Sequence, residues 1–283
     1  MVTIKKVIIK KQEATTSVIL FLFSSFLIPK GITKVSLKKI FELMEPFKKS
    51  ETAIRMGLSR AVKAGILKNT KEDEQVYYEL IDAGKKNLDE WKQTKQIFWK
   101  KISMKKNSWN NYWCVVVLDL SNIKENKDEM IDYLKELGFA KMSRDTYIHP
   151  YDFSKDIESK INEYGLGEQV KVFISKLVSE YNISHFVSSY WDVNAINKKY
   201  IEFGFSYPPT LSVWNMNSDA DKIIPFCHNF ISDFTEIMKM DPVLPGEFVG
   251  VNWEGENVLR ILDQFNKTVV PRAKEIVDNI LNN

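Results

Sequence analysis

With two cysteines, three histidines and five arginines in 283 residues, the chain lacks the side chains that several common chemistries require. Cys114 and Cys227 cannot build a disulfide framework, and both fall in segments that read as buried. His149, His185 and His228 are scattered, with no cysteine at zinc-finger spacing, so a structural zinc or a histidine-rich metal enzyme is not expected. There is no glycine-rich phosphate loop and no Gly-x-Ser-x-Gly nucleophile motif. Nor is there an internal repeat or a low-complexity tract. Ser17 to Ile28, SVILFLFSSFLI, is the one candidate for a membrane or targeting segment. At about twelve residues it falls short of the roughly twenty that cross a bilayer. IPKG follows it where a secretory signal would carry a small-residue cleavage site. A buried helix in a cytoplasmic protein is the reading, with no membrane partner.

What is present is the balance of a soluble globular chain, 44% hydrophobic and 27% charged. The net charge of +3 conceals an asymmetry. Residues 1–110 hold 23 Lys/Arg against 11 Asp/Glu, a surplus of +12, while residues 111–283 hold 17 against 26, a deficit of −9. A basic front half on an acidic back half points to a polyanion-binding module joined to something that binds no polyanion. A lysine-rich solvated surface is the plainer alternative, since 35 of the 40 basic residues are lysine.

Periodicity divides the chain. After the first apolar helix, SLKKIFELMEPF (36–47) has helical spacing, and Lys48-Lys49-Ser50 forms a polar turn. In ETAIRMGLSRAVKAGIL the positions Ile54, Leu58, Ala61 and Val62 share one face, and Gly65 sits where a helix C-cap belongs. NTKEDEQ then turns the chain into VYYEL, of strand composition. Helix, helix, turn, helix and hairpin is the order of a winged helix-turn-helix. Asp82 to about Lys106 reads as a basic connecting helix with its stripe at Leu88, Trp91, Lys95 and Phe98. From Trp109 onward, YWCVVVLDL (112–120) is a buried strand. Helix 127–139, strands at 140–142 and 146–149, helix 153–164 and strand 169–174 complete a β-α-β-β-α-β order, the ferredoxin-like arrangement. The rest is helical, with Pro208-Pro209 marking a junction. The fold class is α+β, divided into a winged helix over 1–81, a connecting helix over 82–108, a ferredoxin-like domain over 109–182 and a helical domain over 183–283.

The sharpest functional signal is in 51–64. With its apolar stripe inward, the helix presents Thr52, Arg55, Met56, Ser59, Arg60 and Lys63 outward. Two of the five arginines are here, and arginine is the side chain that pairs with guanine through two hydrogen bonds. Thr52, Arg55 and Ser59 are the candidate base readers, with Arg60 able to read a base or bind phosphate. Lys48, Lys49 and Ser50 would hold the phosphate backbone at the helix N-terminus.

IPKG, LKKIFELMEPF, ETAIRMGLSRAVKAGIL and VYYELIDAGKK together resemble the start of the phenylacetate-operon repressor (PaaX) family. Arg55, Leu58, Ser59, Arg60, Ala61 and Val62 match that family's pattern at this helix. LGFAKMSRDTYIHP (137–150), YWDVNAINKKYIEF (190–203) and MDPVLPGEFVGVNWEG (240–255) resemble later blocks in the same order. The resemblance implies a transcriptional repressor of an aromatic-acid catabolic operon, of the phenylacetate type, not an enzyme and without a cofactor. It implies a homodimer on a double-stranded DNA operator, released by an aryl-acyl-CoA effector. One departure stands out: the wing tip is Glu72-Asp73-Glu74, where the family's is rich in glycine and arginine, and carboxylates repel phosphate.

Other constellations admit other readings. Arg144 and His149 flank a strand and could meet CoA phosphates, or form an ordinary surface pair. Trp191, Tyr200, Phe203, Phe205, Tyr207 and Trp214 could stack an adenine or aryl group, or be core; Trp191 and Tyr200 are the effector candidates among them. Asp119 ends the first strand of the ferredoxin-like unit, where a metal-dependent nuclease of that fold would carry an aspartate, but it stands without partner carboxylates. A winged helix that binds a protein partner as an adaptor is the remaining alternative.

Overall fold

The computed structural model describes residues 14–119, 121–122, 125–178, 182–207 and 220–283. The Pro208-Pro209 junction and Trp214 lie outside them. The chain is α+β, with helices and two small antiparallel sheets, and it divides into two compact units. One comprises residues 1–92, 203–234 and 257–283, the other 93–202 and 235–256.

In the first unit, the apolar segment forms α1 (Thr15–Leu22), continued by a single π turn at Phe23–Leu27 and a 3-10 turn at Ile28–Lys30. Val18, Ile19, Leu22, Phe23, Phe26 and Leu27 are all buried, which accounts for a segment apolar nearly all round. β1 (Lys34–Ser36) leads into α2 (Leu37–Met44), whose N-cap Ser36 accepts a hydrogen bond from the Lys39 N–H. A 3-10 turn at Glu45–Phe47 and Lys48 in the left-handed region reverse the chain into α3 (Glu51–Lys63). β2 (Leu67–Glu72) and β3 (Gln75–Leu80) pair from Leu67 opposite Leu80 to Glu72 opposite Gln75, and β1 pairs on the far side of β3. The two-residue turn, Asp73-Glu74, has φ of 44° and 67°, the geometry that matches a twisted hairpin, tolerated by aspartate but costly for glutamate. Stretches distant in sequence complete this unit. Lys30 pairs with Asp278, and Lys39 Nζ donates to the Ile280 carbonyl at 2.7 Å, both in α11 (Gly255–Asn282). Phe230, in α9 (Ala220–Met240), stacks on Phe265 of α11 with centroids 3.9 Å apart.

The second unit follows the strand and helix order expected from the sequence. β4 (Trp113–Leu118), α5 (Lys127–Leu137), β5 (Ala140–Lys141), β6 (Thr146–His149), α6 (Ser154–Tyr164) and β7 (Val170–Ser175) give a sheet of order β5-β6-β4-β7. Val116, Leu118, Met130, Leu134, Phe153 and Ile157 fill one side of it. Trp113, Ile148, Val187, Trp191, Leu244 and Phe248 fill another cluster, which includes α7 (Ile183–Tyr190) and α10 (Gly246–Val249). α4 (Asp82–Lys105) departs from the expected stripe: Lys95 is exposed, and Phe98 and Lys101 are buried. Lys101 Nζ donates to the Asp241 carbonyl at 2.7 Å. The Asp241 carboxylate accepts from Tyr200, in α8 (Val193–Ser206), and from the Val243 N–H.

Burial lowers the Lys101 ammonium to about 8, against the raising influence of Asp241 and Glu136. Burial, reinforced by the Lys101 charge, holds His149 down to about 3, and its Nδ1 accepts from the Tyr151 N–H at 3.0 Å, as a neutral ring can. Both folded values lie below the ordinary ones, so the unfolded chain binds more protons across each window. Stability is therefore expected to fall as pH drops from 6.5 toward 3 through His149, and to rise between about 8 and 10.5 through Lys101. Buried Asp241, whose carboxyl is pushed up by burial, opposes the His149 slope, so the comparison must be differential. Urea denaturation at a series of pH values is expected to show a shallower acid limb for His149→Asn than for the unaltered chain. Parallel limbs would mean that His149 is not the buried neutral ring described.

Candidate nucleic-acid interface

α3 is defined at both ends by its own sequence. Ser50 is the N-cap, its hydroxyl accepting from the Ala53 N–H at 3.2 Å. At the other end Gly65 takes φ of 68°, the Gly65 N–H donates to Val62 O and the Ile66 N–H to Ala61 O, a Schellman closure. Ile54, Gly57, Leu58 and Ala61 are buried, with Val62 only partly so. Thr52, Arg55, Met56, Ser59, Arg60 and Lys63 are all exposed, along with Glu51. The outward set expected from periodicity is the outward set of the structure.

The inward side holds a feature that periodicity alone misses. Thr16 Oγ1 donates to the Gly57 carbonyl at 3.2 Å, and a Cβ placed on Gly57 would stand 3.0 Å from Thr15 Cγ2 and 3.2 Å from Ile19 Cδ1. α1 therefore crosses α3 where α3 has no side chain. A glycine inside a helical pattern was the only sequence signal for it.

Arg55 lies against two neighbours. Its guanidinium carbon is 5.1 Å from the Phe41 ring centroid, and its nitrogen is 3.8 Å from Glu51 Oε2, one turn back. Both contacts are solvent-exposed and weak, so they hold the arginine beside the exposed face without committing it. Lys48 is exposed and Lys49 partly buried on the turn before α3, where helix amides and dipole favour an anion. Met56, half exposed, adds an apolar group to the same face.

The hairpin holds two of the ion pairs of its sheet, with Lys71 exposed on β2. Lys34 pairs with Glu72 at 2.5 Å and Lys68 with Glu79 at 2.9 Å, and the Glu72 hydrogen bond raises the Lys34 ammonium above its usual value. With Asp73 and Glu74 at its tip, the hairpin offers little to a phosphate.

The remaining candidates are placed as follows. Arg144 is exposed on the turn between β5 and β6, whereas His149, Trp191 and Tyr200 are buried. Trp191 Nε1 donates to the Gly138 carbonyl at 3.0 Å, and Tyr200 serves Asp241. Asp119 uses one oxygen to accept from Ser121 and the other from Asn122, each at 2.7 Å, and these bonds lower its carboxyl. Among the described residues no group of three or more His, Cys, Asp or Glu could hold a metal ion. Both cysteines are free and buried. No helix among the described residues is long and apolar enough to cross a membrane.

Comparison with known families places three matches end to end: PaaX-like protein over residues 14–84, PaaX protein central Cas2-like domain over 106–187 and PaaX-like protein C-terminal domain over 191–279. The chain belongs to the PaaX family. No curated protein matches it. Among solved structures, an uncharacterized protein from Mycobacterium tuberculosis, Rv0674, shares the fold at a TM-score of 0.54 and 14% identity, over 95% of this chain and 99% of that one.

The close approach at Gly57 generates a stability test. Gly57→Val is expected to cost about 1–3 kcal/mol or more by overpacking, while Met56→Ala on the opposite face stays within about 0.5 kcal/mol. Equilibrium urea unfolding measures both. A Gly57→Val variant as stable as the parent would contradict the helix crossing.

Proposed function

We propose that this PaaX-family chain is a DNA-binding transcriptional repressor of an aromatic-acid catabolic operon, with α2 and α3 as a winged helix-turn-helix and α3 as the helix that enters the major groove. The observation that carries the reading is the exposed face of α3: Thr52, Arg55, Ser59 and Arg60 stand outward on a helix that buries Ile54, Gly57, Leu58 and Ala61 behind them and whose start is capped by Ser50. In this reading Thr52, Arg55 and Ser59 read bases, Arg60 reads a base or holds phosphate, and Lys48, Lys49 and Ser50 position the backbone. The acidic hairpin stays off the DNA. The sheet order β5-β6-β4-β7 supports a ferredoxin-like middle domain. The protein acts as a homodimer, and an aryl-acyl-CoA releases it from the operator. Membership of the family supports a regulator rather than a catalyst.

The test begins with duplexes selected from a random library by the full-length protein. Arg55→Ala is expected to lose about 1–3 kcal/mol on the selected duplex and less on random DNA. Lys48→Ala should weaken both about equally. Fluorescence anisotropy supplies the affinities, and equal losses for the two variants on both DNAs would remove the base-reading role of Arg55.

The salt dependence checks the phosphate side separately. A dimer neutralising about 6–10 phosphates is expected to lose roughly 10³–10⁵ in affinity between 50 and 200 mM salt. A flat profile points instead to a protein partner for the exposed face of α3.

A further inference from the structure

Met56 is the one large hydrophobic side chain left exposed among residues 14–81. Every leucine, isoleucine, valine, phenylalanine and tyrosine in that stretch is at least partly buried. Folding of this part of the chain has therefore left a single large apolar group in water, and has left it among the candidate base readers. One turn away on the outside of α3 lie Thr52, Ser59 and Arg60, all exposed. None of the three is apolar, so Met56 does not extend the buried stripe of Ile54, Leu58 and Ala61.

Helix geometry sets what Met56 can reach. Successive residues are turned by about 100° and rise by only about 1.5 Å, against about 3.4 Å between base pairs. Thr52 and Ser59 therefore mark the centre line of the exposed face, with Arg55 on one side of it and Met56 on the other. Phe41 and Glu51 approach Arg55 at 5.1 and 3.8 Å. Arg55, Arg60 and Lys63, all exposed, supply the positive charge that brings a duplex to this face. A thioether has no proton to donate and accepts weakly, so it gains little from phosphate. The base edges in the major groove present donors, acceptors and one apolar group, the 5-methyl of thymine. Methionine is long, unbranched and polarizable, which lets it settle on such a group without strain.

We infer that Met56 packs on the 5-methyl group of a thymine in the operator half-site, close to the guanine that Arg55 reads. This contact rests on the DNA-reading role proposed above for α3, and it adds a base whose identity is fixed by an apolar group instead of a hydrogen bond. Met56 is then a specificity-determining residue, and the half-site combines guanine on the Arg55 side of the helix with thymine on the other.

The test uses full-length protein and the duplex it selects from a random library, with affinities from fluorescence anisotropy. Each thymine of the selected half-site is replaced in turn by deoxyuridine, which removes the methyl group and leaves every hydrogen bond of the base pair in place. One such replacement is expected to weaken binding by the unaltered chain about three- to fourfold, the ratio that burial of one methyl group is worth. Met56→Ala should bind the thymine and uracil duplexes equally, and Met56→Leu should keep the preference for thymine. Thr52 also carries a methyl group, so Thr52→Ser is the control and should keep the preference too. All three variants alter exposed positions and should hold the thermal unfolding midpoint within a few degrees. A half-site with no sensitive thymine, a preference that survives in full in Met56→Ala, or one that disappears in Thr52→Ser instead overturns the proposal. Arg55→Ala separates this failure from that of the reading beneath it. If Arg55→Ala loses selectivity while the uracil duplexes bind normally, Met56 alone loses its role; if the protein selects no duplex at all, both readings fall.

Discussion

The geometry of the exposed basic face depends on one contact, the crossing of α1 over α3 at Gly57. A helix presents a defined set of side chains only if its rotation about its own axis is fixed, and rotation is fixed by what its rear packs against. Here the rear contains a residue without a Cβ, so α1 approaches until Thr16 bonds the Gly57 carbonyl. Leu58 and Ala61 then fill the space on the flank. Turning α3 by a single residue position, about 100°, would force a side chain into the Thr15 and Ile19 contact. The interior glycine, which intrinsically weakens a helix by about 1 kcal/mol, thus sets the orientation of Arg55 and Ser59.

The second unit follows a different principle. Its interior holds an ammonium, a carboxylate, a phenol and an imidazole, all groups that ordinarily stay in water. Lys101 donates to a backbone carbonyl, Asp241 accepts from Tyr200 and a backbone amide, and His149 accepts from a backbone amide at Nδ1, while its Nε2 has no partner. Partnered in this way they tie α4, β6, α8 and the segment after α9 into one arrangement, at the expense of a stability that varies with pH. Removing a single partner would be far more damaging than exchanging the set for apolar residues, because it leaves a buried charge uncompensated. Such a network favours one packing over many more than it adds net stability.

Much of this was legible in the sequence, for identifiable reasons. The outward face of α3 followed from a 3.6-residue period uninterrupted by proline, and its end from Gly65. The hairpin was legible but not its length: NTKEDEQ reads as turn throughout, whereas Asn69 to Glu72 and Gln75 belong to the paired strands and only Asp73-Glu74 turn the chain. The burial of SVILFLFSSFLI followed from its length, too long for a loop and too short for a bilayer. Lys95 and Lys101 were not separable, because each is a lysine within one turn of Phe98; only the carbonyl of Asp241, 140 positions away, distinguishes them. His149 read as a strand-end group able to meet a phosphate, since nothing local reveals that Gly138 and Pro242 crowd its ring. The role of Gly57 was hidden because its partner belongs to another helix. The signals that failed at Lys101, His149 and Gly57 were all long-range, and pattern reading sees only neighbours.

The unit that carries α3 includes α11, through Lys30 with Asp278 and Lys39 with the Ile280 carbonyl. On the ribosome this has a consequence. Domains ordinarily fold as they emerge, amino-terminal part first, but α1 to β3 would wait for the rest of their own unit until α11 had been made. A nascent chain, or one cut short by a premature stop, would carry the arginines of α3 on an incomplete scaffold. On the proposed reading, competence to hold an operator would thus wait until α11 had been made and docked.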